Sequence, residues 1–176
     1  MRIGIDARFY GYQAKGLGRY TENLLKNLEI QDSQNEYFVF LLPNGYYSYS
    51  PLKKNFRKIL VKYPWYSLKE QLFLAQKLNY FNLDLMHFLH FNVPLFYQKK
   101  FIITLHDFAL FDFPTNKVFL LKKIFYSWKN LFFRLIFKSA VRRSEKIIVD
   151  SENGKERLEQ YYPQSSSKIQ VINLGI

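Results

Sequence analysis

Cysteine is absent from all 176 residues of the chain. Neither a disulfide framework nor a thiolate zinc site can therefore form, and a reducing compartment suits the protein. Acidic side chains are scarce: 14 Asp and Glu stand against 26 Lys and Arg, leaving a formal net charge of +12. That surplus favours an anionic partner, whether a phosphorylated substrate, an acidic lipid surface or nucleic acid. Nucleic acid is not expected, because no recognised binding motif accompanies the charge. Long apolar runs are also missing. Val118 to Leu121 is cut off by Lys122 and Lys123, far short of the ~20 residues of a membrane-spanning helix. Met1-Arg2-Ile3-Gly4-Ile5-Asp6 reads as a strand and not as the apolar core of an export signal. The expectation is a cytoplasmic protein, peripheral at most on the inner face of the membrane.

What is present is apolar enough to fold, with 48% hydrophobic and 19% aromatic residues, well beyond a disordered composition. The length suits one domain, 1–176. Short apolar runs at Ile3 to Ala7, Tyr37 to Leu42, Ile59 to Val61, Leu85 to Phe88, Phe101 to Leu105, Ile147 to Val149 and Ile169 to Ile172 read as strands. Helical periodicity occupies Tyr20 to Leu28, Leu68 to Leu78, Lys117 to Arg143 and Lys155 to Tyr161. Pro43 to Pro51, rich in Tyr, Ser, Asn and Gly, reads as a loop. Alternating strands and helices predict an α/β, Rossmann-like, doubly wound and mainly parallel sheet with helices on both faces.

Three features carry chemistry. Gly16-Leu17-Gly18-Arg19 lies between the first strand and the first helix, where close backbone approach and a helix N-terminus together suit a phosphate. The dinucleotide fingerprint fails here, since Thr21 stands at its third glycine. The histidines His87, His90 and His106 all fall at or near the carboxyl ends of expected strands, the edge at which open α/β sheets bind ligands. Imidazoles suit zinc, but residues three apart on a strand point to opposite faces, so no metal is expected. The pair His106-Asp107 fits better as a group that hydrogen-bonds sugar or phosphate. Lys117 to Arg143 contains no acidic residue and many aromatics, the composition of a helix lying in an anionic membrane interface. A helix covering a sheet also needs a broad apolar face; the apolar residues here exceed what one face buries. Lys122, Lys123, Trp128, Lys129, Phe132, Phe133, Arg134 and Phe137 are the expected interface residues.

Ile5-Asp6-Ala7-Arg8, Gly16-Leu17-Gly18-Arg19-Tyr20-Thr21-Glu22-Asn23-Leu24-Leu25, Asp84 to Pro94, Thr104-Leu105-His106-Asp107 with Phe113-Pro114, and Ile148-Val149-Asp150-Ser151-Glu152 occur in one order along the chain. In that order and spacing the chain resembles the N-terminal, acceptor-side domain of GT-B glycosyltransferases of family 4, most closely mannosyltransferase-type members that build surface polysaccharides. The resemblance implies retaining, metal-independent transfer of a hexosyl group from a nucleotide-sugar to a lipid-linked or growing saccharide. It implies no cofactor. It gives Gly16, Leu17, Gly18 and Arg19 to the donor diphosphate, His106 and Asp107 to catalysis, and His87, His90, Asn92, Ser151 and Glu152 to sugar or acceptor. Where such proteins read V-S-E-F-S, this chain reads Val149-Asp150-Ser151-Glu152-Asn153. Lys168-Ile169-Gln170-Val171-Ile172-Asn173-Leu174-Gly175-Ile176 is similar to the hinge that precedes the family's C-terminal donor-binding domain. That domain is expected to be missing from these residues and to come from elsewhere, which would leave the chain inactive alone. The alternative is a non-catalytic Rossmann-like module that binds a membrane or a partner.

Overall fold

The computed structural model describes residues 1–11, 15–67, 69–106 and 120–174, with side chains of the long helix from Leu131 onward. Strand β1 (Arg2–Asp6) leads to α1 (Lys15–Gln31), β2 (Glu36–Leu41), the short α2 (Pro43–Ser48) and β3 (Phe56–Leu60). A π-helical turn at Glu70–Leu74 runs into α3 (Ala75–Tyr80), followed by β4 (Leu85–Phe88) and β5 (Phe101–Leu105). Helix α4 (Leu120–Arg143), β6 (Lys146–Val149), α5 (Glu152–Tyr161), a 3₁₀ turn (Pro163–Lys168) and β7 (Ile169–Val171) follow. The strands form one seven-stranded sheet in the order β3-β2-β1-β4-β5-β6-β7. The parallel α/β fold expected from the alternation is the fold the chain adopts. Two compact units divide it: residues 1–89 with 94–101, and residues 90–93 with those from 102 onward.

In the first unit, pleat alternation assigns each strand residue to one of two helix layers. Ile5, Ala7, Tyr37, Val39 and Leu41 form one buried face with Leu25, flanked by Tyr20, Leu24 and Leu28 of α1. Phe38 and Phe40 turn the other way and meet Phe81, just after α3, at centroid separations of 5.6 and 5.3 Å. The strand order reverses between β1 and β4, where Ile5 pairs with both Val39 and His87. Such a switch opens a crevice at the carboxyl ends of the two strands. In the second unit, Ile136, Phe137, Ala140 and Val141 of α4 are buried with Ile147, Val149 and Leu158. Lys168 donates to the carbonyls of Arg142 and Ser144 at 2.8 and 2.9 Å, which satisfies groups that the end of α4 leaves open.

Some boundaries differ from the sequence reading, each for a local reason. Residues Pro43 to Ser48 form α2 where a loop was expected. Pro43 supplies the fixed φ of a first helical turn, and Lys58 donates to the carbonyls of Tyr46 and Tyr49 at 2.9 and 3.0 Å. β3 begins at Phe56, three residues before the expected start at Ile59. Arg57 and Lys58 hide it from an apolar pattern, and an edge strand tolerates such residues. Helix α1 begins at Lys15 and not at Tyr20, so the glycines lie inside its first turn.

Candidate functional site

That first turn packs closely on backbone at Gly18. A Cβ there would stand 1.9 Å from the carbonyl oxygen of Gly11 and 3.1 Å from that of Phe9. Only glycine lets the first turn of α1 lie directly on the loop that leaves β1. Gly16 is different: nothing lies within 4 Å of its absent Cβ. It lines an open cavity of about 430 Å³ with Lys15, Arg19 and Glu22. The first amides of a helix have no intrahelical partner, and here two cations stand beside them against one carboxylate. This end of α1 can accept an anion. The four residues singled out from sequence thus divide: Gly16 and Arg19 face the cavity, Gly18 packs on the backbone, and Leu17 is half-buried while its carbonyl accepts from the Thr21 hydroxyl at 2.7 Å.

The loop under Gly18 is itself clamped. Arg8 directs Nε and Nη2 to the two carboxylate oxygens of Asp6, each at 2.7 Å. Its Nη1 reaches Oε1 of Glu70 at 2.6 Å, and all three side chains are buried. Burial alone would lower the guanidinium pKa, but the two carboxylates hold it above its ordinary value. Glu70 also accepts from the Tyr66 amide at 2.7 Å, while its own amide donates to the Ser67 hydroxyl at 3.0 Å. Next to the ion pairs, Phe9 stacks on Trp65 at 4.4 Å. The segment after β1 is therefore bolted to the segment before α3. Sequence reasoning quoted Asp6 and Arg8 within a motif and gave Glu70 no role. The available signal was a Ser67-x-x-Glu70 pattern at a helix start, which does not name Arg8 as partner.

The second unit carries a looser polar pair. His106 directly follows β5 and Asp150 directly follows β6, and Leu105 pairs with Val149 in the parallel register. Adjacent strand ends thereby bring the two side chains together: His106 Nδ1 is 3.7 Å from Asp150 Oδ2. The other Asp150 oxygen accepts from the Ser151 hydroxyl at 3.3 Å, and that hydroxyl accepts from the Gly154 amide at 3.2 Å as the N-cap of α5. Burial lowers the His106 pKa against the opposing pull of Asp150. The imidazole is therefore neutral at neutral pH, able to donate and accept one hydrogen bond at once. Sequence reading quoted Asp150 in a motif without pairing it to His106. The signal was positional, since each residue comes next after an adjacent strand.

The remaining sequence-predicted residues are dispersed. His87 is buried on β4 in the first unit. His90, in the second, lies against Phe91 with ring centroids 4.2 Å apart and planes tilted by 35°, and its Nδ1 accepts from the Asn92 amide at 3.4 Å. Asn92 is buried. Ser151 caps a helix, and the exposed Glu152 lies 3.9 Å from Lys155. Asp107 and the Phe113-Pro114 pair lie outside the described residues, as do the side chains of Lys122, Lys123, Trp128 and Lys129. On α4, Phe132 and Phe133 are half-buried and Arg134 is exposed. Phe137, expected at a membrane interface, is instead fully buried against Phe91 and Tyr162, with centroids 5.3 and 5.7 Å away. Its place on the helix repeats with Ile136, Ala140 and Val141, the buried stripe of α4. No group of three or more His, Asp or Glu side chains among the described residues could hold a metal ion.

Residues 14–176 match the sequence model of the family described as Glycosyltransferase Family 4. No curated protein matches the chain.

Proposed function

The chain belongs to glycosyltransferase family 4, and from that premise we propose that it is the acceptor-side half of a retaining, metal-independent hexosyltransferase. In this reading a mannosyl or related group passes from a nucleotide-sugar to a lipid-linked or growing polysaccharide acceptor. The bond from the anomeric carbon to the diphosphate oxygen breaks, the acceptor hydroxyl oxygen bonds to that carbon on the same face, and the hydroxyl proton leaves with the diphosphate. Negative charge grows on the leaving diphosphate, and fixed dipoles and cations stabilise it best when they are in place beforehand. The first turn of α1, with Gly16, Lys15 and Arg19 around an open cavity, supplies groups of that kind. His106, held neutral by burial, is suited to hydrogen-bond a hydroxyl of the transferred sugar. The observation that carries the reading is the placement of His106 and Asp150 side by side at the carboxyl edge of β5 and β6, the edge at which this class of sheet works.

A donor-binding Rossmann domain, joined to this one or supplied separately, completes the reading, because positioning provides much of a transferase's rate. The 176-residue chain by itself is expected to turn over no nucleotide-sugar. Supplying such a domain should give transfer, and His106→Ala should then lower kcat by about 10²-fold or more, as loss of a transition-state contact does. An unchanged kcat would remove His106 from the reaction, and transfer by the chain alone, against a control for contaminating enzyme, would contradict the division of labour.

A further inference from the structure

Helix α4 shows two unlike faces over its described side chains. Ile136, Phe137, Ala140 and Val141 are buried, and they fix the helix in its unit. Opposite them, Leu131, Arg134, Leu135, Lys138 and Arg142 recur at spacings of three and four, and all are exposed. Such spacing puts them on one stripe. Leu131 and Leu135 are 51% and 52% exposed, and a cation follows each at the next turn. No carboxylate interrupts the helix from Leu120 to Arg143.

We propose that this stripe docks on an anionic lipid surface. An anionic bilayer answers both halves of its chemistry. Leucines gain by entering the boundary of headgroup and acyl chain, and the stems of Arg and Lys lie along that apolar layer while their charges stay with the headgroup phosphates. Nucleic acid answers only the charge and leaves Leu131 and Leu135 in water. The burial of the opposite face presents the stripe as a rigid edge, so docking needs no unfolding. The helix does not cross the bilayer: no described helix is long and apolar enough to do so. The proposal does not depend on the transferase reading, since lipid association requires neither donor nor acceptor.

The test is sedimentation of the full chain with phosphatidylcholine vesicles, with and without phosphatidylglycerol. Binding is expected only with the anionic lipid, weakening as salt rises. Arg134→Glu with Lys138→Glu should reduce it by at least about 10-fold, since each cation near an anionic surface contributes appreciably. Leu131→Gln with Leu135→Gln should remove the salt-resistant remainder. Because the chain has no cysteine, Leu135→Cys can carry a single environment-sensitive dye. Its emission should shift on anionic vesicles, whereas a dye at Leu52→Cys, 80% exposed in the other unit, should not. Equal partitioning onto both vesicle types, or onto neither, would overturn the proposal. So would a dye at position 135 that stays as wet as one at position 52. Binding that survives the α4 substitutions but is lost with Leu72→Gln and Phe73→Gln, both exposed on the first unit, would move the surface elsewhere and equally refute it.

Discussion

Both units place an acid beside a base after a β-strand, and they do so with opposite results. In the first, the Arg8 guanidinium meets Asp6 through two contacts of 2.7 Å and Glu70 at 2.6 Å, with side chains 7% exposed or less. In the second, His106 and Asp150 stand 3.7 Å apart, with side chains 13% and 25% exposed. The first arrangement uses guanidinium nitrogens in directions that leave little for a ligand, so it behaves as structure. The second has an imidazole that burial keeps neutral to below its ordinary pKa, a contact longer than an ordinary hydrogen bond, and side chains that are in part exposed. Compactness marks the part that holds shape, and slack marks the part that can meet a substrate. A charged motif near a strand end therefore says little until burial separates the two cases.

Removal of Glu70 should cost the most. Glu70→Ala leaves Arg8 buried with one carboxylate in place of two, and the loss of one member of a buried pair costs about 3–5 kcal/mol. Urea unfolding should show that loss, with a smaller one for Asp150→Asn, whose side chain is a quarter exposed. Equal losses at both positions would mean that the two pairs serve the fold alike. Gly18→Ala comes next. The added Cβ must push the Gly11 carbonyl away from 1.9 Å, and overpacking of this kind costs about 1–3 kcal/mol. Gly16→Ala meets nothing within 4 Å and should leave stability within about 0.5 kcal/mol, so any effect of it on transfer reports on the cavity. Similar unfolding midpoints for the two alanine variants would count against the packing role of Gly18.

The sequence disclosed the sheet well because parallel strands covered on both faces are nearly continuous apolar runs. Leu85 to Phe88 and Phe101 to Leu105 coincide with β4 and β5. Period failed where polar side chains serve the fold. Lys58 hides both β3 and the end of α2, and Ser67 and Glu70 hide the bolt to Arg8. The glycines were visible, but their separate jobs depend on which backbone lies opposite. His106 was legible from its position after a strand. Its neighbour Asp150 is 44 residues further along the chain and becomes a partner only through the register of β5 with β6. On α4, composition alone treated Phe132, Phe133 and Phe137 alike, whereas the helix period set against burial removes Phe137 to the core.

The last expected effect concerns acid. Burial lowers the His106 pKa from 6.5, with Asp150 opposing it. The folded protein therefore resists a proton that the unfolded chain accepts. Stability contributed by neutral His106 is fully present above about pH 6.5 and is lost as pH falls through that value towards the lower folded-state pKa. The slope cannot exceed about 1.4 kcal/mol per pH unit for one group. Urea midpoints of the native chain and of His106→Gln, compared between about pH 7.5 and about pH 5.5, should converge on acidification, because the variant lacks the penalty. His87 and His90 remain in both proteins, so their titration cancels in the difference. Asp150→Asn sharpens the test: without the carboxylate that raises the pKa, the acid loss should extend to lower pH. Parallel curves for the native and Gln proteins would mean that His106 titrates as it does in the unfolded chain, and the neutral imidazole assigned to the sugar would lose its support.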